Sequence, residues 1–193
     1  SCALVTLSKN TIGQMSCNPA IGGLGKSHLV KEIDAMGGIM PLATDMSGIQ
    51  FRTLNTRKGP AVRALRAQCD REAYKTSIQK ILKQTSIEIL EGEVIDLMVE
   101  KGAVIGVEVE NIGTVHAEKT ILTTGTFLNG IMYSGKTKKH GGRLGENPSI
   151  PLSERMYGMG LMMGRLKTGT PPRIKMSSLN LDVMDEQPGD LPT

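Results

Sequence analysis

Hydrophobic and polar positions along this chain change their period several times, and each change predicts an element. Ser1-Cys2-Ala3-Leu4-Val5-Thr6-Leu7 reads as the end of a buried strand without an initiator methionine, so the chain is expected to begin mid-fold. From Asn10 to Gly25 glycine and small polar residues predict an ordered loop without a regular element. Leu29, Ile33 and Met36 then recur at helical spacing from Lys26 onward, and Gly37-Gly38 supplies the left-handed residue that ends such a helix. A longer helix is predicted from about Pro60, suited to a first turn, to about Gln84. Its inner face would carry Val62, Leu65, Cys69, Ile78, Ile81 and Leu82.

From Ile87 the period becomes two. Strands are predicted over Ile87 to Leu90, Val94 to Val99, Val104 to Val109 and Thr114 to His116, with turns at Lys101-Gly102 and Asn111-Ile112-Gly113, making an antiparallel meander. Thr120-Ile121-Leu122 reads as one more strand, stopped by Thr123-Thr124-Gly125-Thr126. Beyond Gly130 periodicity weakens and loops are expected, including Gln187 to Thr193. The order of strand, loop, helices, meander and glycine-ended strand predicts an α/β fold. Its layout is that of the glutathione-reductase-like FAD-binding domain, a parallel sheet plus a β-meander, here expected to be truncated at both ends.

Composition bounds this picture. With 193 residues, 39% of them apolar, the chain can build one ordinary core and the edge of a second domain, expected over residues 1–170 and 171–193 respectively. It has no tryptophan and twelve methionines, so the core should be aliphatic. The net charge of +4 is concentrated in two stretches, Arg52, Arg57, Lys58, Arg63, Arg66 and Arg71, and then Lys136, Lys138, Lys139 and Arg143. Either stretch suits phosphates, although solvated basic faces are the commoner explanation. Three cysteines without regular spacing point to a reducing compartment, and hence to the cytoplasm, and no apolar run approaches a membrane span. His28, His116 and His140 lack metal-ligand spacing, so no metal is expected.

The candidate chemistry begins at Cys17. Ala20-Ile21-Gly22-Gly23-Leu24-Gly25-Lys26-Ser27 formally fits a relaxed phosphate-binding loop, but Gly13 to Pro19 cannot supply the buried strand such a loop follows. What remains is main chain that a ligand can approach closely at Gly22, Gly23 and Gly25 ahead of a helix start, which suits a flavin or its phosphates; a loop that merely packs on a strand is the alternative. Cys17, beside Asn18 and Pro19, is either an inert thiol or one activated by a helix dipole and a lysine. Adjacent Asp70 and Arg71 read as a local ion pair or a sheet contact.

Five ordered strings go further. They are Met15-Ser16-Cys17-Asn18-Pro19-Ala20-Ile21-Gly22-Gly23, Leu54-Asn55-Thr56-Arg57-Lys58-Gly59-Pro60-Ala61-Val62-Arg63, Thr124-Gly125-Thr126-Phe127-Leu128, Gly141-Gly142-Arg143 through Asn147-Pro148-Ser149, and Gly164 through Arg173. Over nearly its whole length the chain resembles the MnmG (GidA) family of tRNA uridine 5-carboxymethylaminomethyl modification enzymes. The resemblance implies FAD as cofactor, NADH as reductant and methylenetetrahydrofolate as one-carbon donor. It also implies a homodimer and, as partners, tRNA and an MnmE-family GTPase. It implies a flavin-side or catalytic role for Cys17 and FAD contacts at Asn18, Pro19, Gly22, Gly23, Val94, Gly125, Thr126 and Ser149. The family's first strand with its Gly-x-Gly-x-x-Gly turn, its second catalytic cysteine, its NAD segment and its partner-binding region have no match in these residues. A folate- and FAD-dependent tRNA uridine-54 methyltransferase and a non-catalytic tRNA-binding protein are the competing expectations.

Overall fold

Asp, Gly and Pro punctuate the chain into the elements of the computed structural model, which describes residues 1–191. Pro192 and Thr193, the end of the expected terminal loop, lie outside the described residues. In chain order the elements are β1 (Ala3–Thr6), β2 (Ala20–Gly22), α1 (Ser27–Ala35), α2 (Ile39–Ser47), β3 (Gly48–Leu54), β4 (Ala64–Cys69), α3 (Arg71–Leu82) and β5 (Glu88–Glu91). There follow β6 (Val94–Glu100), β7 (Ala103–Val109), β8 (Gly113–His116), β9 (Ile131–Ser134), β10 (Thr137–His140) and α4 (Pro151–Gly158). They fall into two compact units, one of Ser1–Asn10 with Ile87–Lys167, the other of Thr11–Ser86 with the residues from Thr168 on.

In the first unit β1 pairs in parallel with β5, from Ala3 opposite Glu88 to Thr6 opposite Glu91. β6, β7 and β8 form the antiparallel meander. The strand expected first in that meander, β5, therefore leaves it. Its partner β1 lies some eighty residues away, and alternation along β5 carries no signal of which strand it meets. Leu97, Val107, Val109 and Leu152 are buried together, with Val5, Val94, Val115, Leu128 and Met156 packed against them. Arg155 ties α4 to β6: Nε lies 2.6 Å from Asp96 Oδ1, and Nη2 donates to the Leu97 carbonyl at 3.3 Å. Thr120-Ile121-Leu122 joins no ladder, and Ile121 is 86% exposed, so the strand expected there is absent. Conversely, the region expected as loops contains the β9–β10 hairpin and α4, whose Pro151 sits at a helix start, where a missing N–H costs nothing.

The second unit carries the largest correction. In place of one helix over Pro60 to Gln84 there is a 3₁₀ turn at Pro60–Val62, then β4, then α3. β4 is the central strand of the antiparallel order β2-β4-β3, so it makes ladder bonds on both sides. That gain outweighs the helix propensity of its alanines. Cys69 is a core residue, 1% exposed, but on a strand, buried with Ala43, Ala67, Tyr74 and Ile78. Asp70 ends the strand and starts the helix, its extended backbone placing Oδ1 to accept from the Ala73 amide at 2.8 Å. Exchanging Asp70 for alanine is expected to cost about 1 kcal/mol, seen as a lower urea midpoint at unchanged slope.

α1 ends as expected. Gly37, at φ 78°, and Gly38 donate to the Asp34 and Ile33 carbonyls, both at 2.8 Å, the double bond pattern of a left-handed helix cap. α2 and β3 had no counterpart in the reading of the sequence. The segment expected as a terminal loop is docked on the outer edge of β3. There Gln50 Nε2 donates to the Gln187 carbonyl (2.9 Å), the Asp190 amide to the Phe51 carbonyl (2.8 Å) and the Thr53 amide to Asp190 Oδ2 (2.6 Å). A hydrogen bond from the Thr53 side chain, joined by that amide bond, holds the Asp190 carboxyl below its ordinary 3.8.

Burial pushes the Cys69 thiol above its ordinary 9.0, a Ser47 hydrogen bond opposing and Asp45 adding to the rise. Burial, with the Cys69 charge beside it, also raises Tyr74 above 10.0. Both groups hold their protons to higher pH in the fold than in the unfolded chain, so stability is intact below about pH 9 and falls above it. Urea midpoints are expected to decline above that pH, and Cys69→Ala to flatten the decline.

Candidate functional site

Cys17 is half-buried just ahead of β2, where two anchors set the main chain. The Cys69 amide donates to the Pro19 carbonyl at 2.6 Å, and the Gly23 amide to the Leu65 carbonyl at 2.8 Å, so the loop is stitched to β4 on both sides of Ala20–Gly22. These three residues form a short strand in a segment expected to have none, because β4 offers them a ladder. Gly22 has φ 82°, and a Cβ there would stand 2.4 Å from the Leu65 oxygen, so no other residue fits. The Lys26 and Ser27 amides are both engaged by the Gly23 carbonyl, at 3.1 and 3.0 Å. Two donors of the α1 start are thereby taken, which agrees with setting the phosphate-loop reading aside.

Two arginines converge on Cys17. Arg71 Nη2 donates to its carbonyl at 2.7 Å and Arg173 Nη2 at 3.2 Å, from positions 54 and 156 residues away. Arg71 therefore does not form the expected ion pair with Asp70, whose carboxylate caps α3 instead. Two guanidinium nitrogens on one neutral oxygen lie within about 6 Å of each other, a repulsion of about 1–3 kcal/mol between aqueous and surface-like dielectrics. Strand β2 intervenes between Cys17 and α1, so the cations brought to it are these two arginines. Arg71→Ala removes a half-buried, charge-assisted bond and is expected to cost about 2 kcal/mol, measured by urea unfolding, and to speed alkylation of Cys17.

Val94 opens β6, an edge strand of the meander. It stands opposite Val109, and across the next pair the Glu110 amide donates to the Glu93 carbonyl at 2.8 Å. Because bonded and non-bonded pairs alternate in an antiparallel ladder, the amide and carbonyl of Val94 are turned away from β7, toward the open edge. In the preceding residue, Glu93 Oε1 is buried without a hydrogen-bond partner among the described residues. The sequence reading missed Glu93.

Gly125 is exposed, at φ 58° with open space where a Cβ would be. Thr126 Oγ1 donates to the Gly142 carbonyl at 2.6 Å. Buried Ser149 donates its amide to the Phe127 carbonyl and accepts from the Asn129 amide, both at 2.8 Å. Thr126 and Ser149 thus flank Phe127, which lies against Gly142, with the Arg143 guanidinium 5.4 Å from the ring centroid. Glu146 holds that guanidinium in two bonds of 2.8 and 2.9 Å.

A parallel strand pair, a three-stranded meander and a glycine-lined loop behind a cysteine define an α/β domain of the glutathione-reductase-like kind. The chain belongs to the glucose inhibited division protein A (GidA) family, whose model matches residues 1–193. It is similar to GidA of Aquifex aeolicus in crystal forms I and II, at 43% identity and TM-scores of 0.88 and 0.87. The match covers 97% of this chain and 31% of the Aquifex chains, so the present residues span about a third of those relatives. A GidA-related protein from Thermus thermophilus shares the fold, with a TM-score of 0.56 at 18% identity over 82% of this chain and 57% of its own.

Proposed function

We propose that the intact protein is an FAD-dependent tRNA-modifying enzyme. With an MnmE-family GTPase it adds a carboxymethylaminomethyl or aminomethyl group at carbon 5 of the wobble uridine. Family membership along the whole chain carries this reading. The residues present also suit a dinucleotide. The outward main-chain groups of Val94 and the unpartnered Glu93 oxygen offer what an adenine edge and ribose hydroxyls need, and Gly125 leaves room beside the main chain.

On this reading Asn18, Pro19, Gly22, Gly23, Val94, Gly125, Thr126 and Ser149 hold FAD, and Cys17 is the catalytic thiol beside it. FAD supplies two-electron redox chemistry when bound, NADH serves as reductant and methylenetetrahydrofolate as one-carbon donor. Arg71 and Arg173 hold the Cys17 main chain in place. The protein works in the cytoplasm as a homodimer, and residues 171–193 begin an inserted substrate or NADH domain.

Purified intact protein is expected to absorb near about 450 nm as a flavoprotein, and tRNA from cells lacking the gene to lack the wobble modification. A normal wobble uridine in those cells overturns the reading; loss of a methyl group from uridine-54 instead favours the folate-dependent methyltransferase.

A further inference from the structure

Both basic stretches of the sequence carry cations without an ion pair among the described residues, Arg57, Lys58, Arg63 and Arg66 in the first and three lysines in the second, but only the second places them beside an exposed ring. In the first, Arg52 is engaged by the Gln187 side chain at 2.9 Å and Arg71 by the Cys17 carbonyl. In the second, Arg143 is held by Glu146. Lys136, Lys138 and Lys139 on the β9–β10 hairpin are exposed and make no ion pair among the described residues. No aspartate or glutamate occurs between Lys119 and Glu146 to balance them.

The hairpin register gives these charges a shape. Tyr133 stands opposite Lys138 and Ile131 opposite His140, so Tyr133, Lys138 and His140 share one face. Lys139 projects from the other face, and Lys136 rides the two-residue turn that Gly135, at φ 57°, makes possible. The Lys138 ammonium lies 5.6 Å from the Tyr133 ring centroid, yet Tyr133 remains 64% exposed. The tip therefore presents unbalanced cations beside a flat aromatic surface. Cations alone would suit an acidic protein equally well. An exposed ring among them favours a nucleic acid with unpaired bases, since every base offers a face to stack.

We infer that the β9–β10 hairpin is an RNA-contacting finger, its lysines meeting phosphodiesters and Tyr133 stacking on an unpaired base. The inference rests on the tRNA reading above and adds where on the chain the nucleic acid is held.

The test is tRNA affinity of the intact protein across a salt series. Removing one lysine–phosphate pairing lowers the slope of log affinity against log salt by about 0.7–0.9. The triple variant Lys136→Ala, Lys138→Ala, Lys139→Ala is thus expected to lose about two units of slope and about 100-fold in affinity at about 0.1 M salt. Arginine at all three positions should preserve both. Tyr133→Ala should weaken binding by about 5- to 50-fold with the slope unchanged. Thermal unfolding at the parental temperature shows that these variants still fold. Parental slope and affinity in the triple alanine variant overturn the finger while leaving the tRNA reading standing. A parent protein that does not bind tRNA removes both. A triple variant that keeps tRNA but loses an acidic protein partner overturns the inference in favour of a protein surface.

Discussion

Serine in place of Cys17 is expected to slow tRNA modification by the intact enzyme by about 100-fold or more, with stability unchanged within about 0.5 kcal/mol. The reason is chemical. A thiol delivers a thiolate far more readily than an alcohol delivers an alkoxide. The same structure explains why the fold should survive. Arg71 and Arg173 bind the main-chain carbonyl of residue 17, which serine retains, and the anchors at Pro19 and Gly23 are also main-chain bonds. Single-turnover modification of tRNA, read beside urea unfolding, checks both halves. Near-parental turnover removes the catalytic role, and loss of flavin together with activity shows that the side chain serves the cofactor site.

The second large effect belongs to Gly22. Alanine there meets the Leu65 oxygen at 2.4 Å while φ stays at 82°, so either the β2–β4 ladder opens or the backbone leaves its conformation. A cost of about 3 kcal/mol or more follows from strain and steric overlap together. Gly25 is the control: φ is 74°, but nothing lies within 4 Å of its added Cβ. Gly25→Ala should cost only about 1 kcal/mol, the left-handed penalty alone. Urea midpoints of the two variants separate close approach from backbone conformation, and equal losses would show that Leu65 is not the constraint.

These two residues also show what the sequence made legible. Cys17 and its glycines stood out because a reactive side chain and conformational freedom are properties of single residues. The meander was readable because alternation survives over several residues. β4 was read as helix because Val62, Leu65 and Cys69 follow Pro60 at spacings that suit one helix face, while the two strands that pair with β4 come from elsewhere in the chain. Asp70 was the overlooked signal, since its capping role requires the helix to start after it. Arg71 and Arg173 were invisible as neighbours of Cys17, because contacts over 54 and 156 residues leave no trace in local periodicity.

That last separation bears on biosynthesis. Cys17 leaves the ribosome well before Arg173, which is made 156 residues later. At about 5–20 residues per second, that is a delay of roughly 10–30 s. During that interval the Cys17 carbonyl lacks one of its two guanidinium partners, and the loop ahead of β2 is held less firmly. Nascent chains halted before Arg173 are expected to take up a thiol reagent at Cys17 faster than completed ones because the loop is looser; equal rates would mean that Arg71 alone fixes the loop.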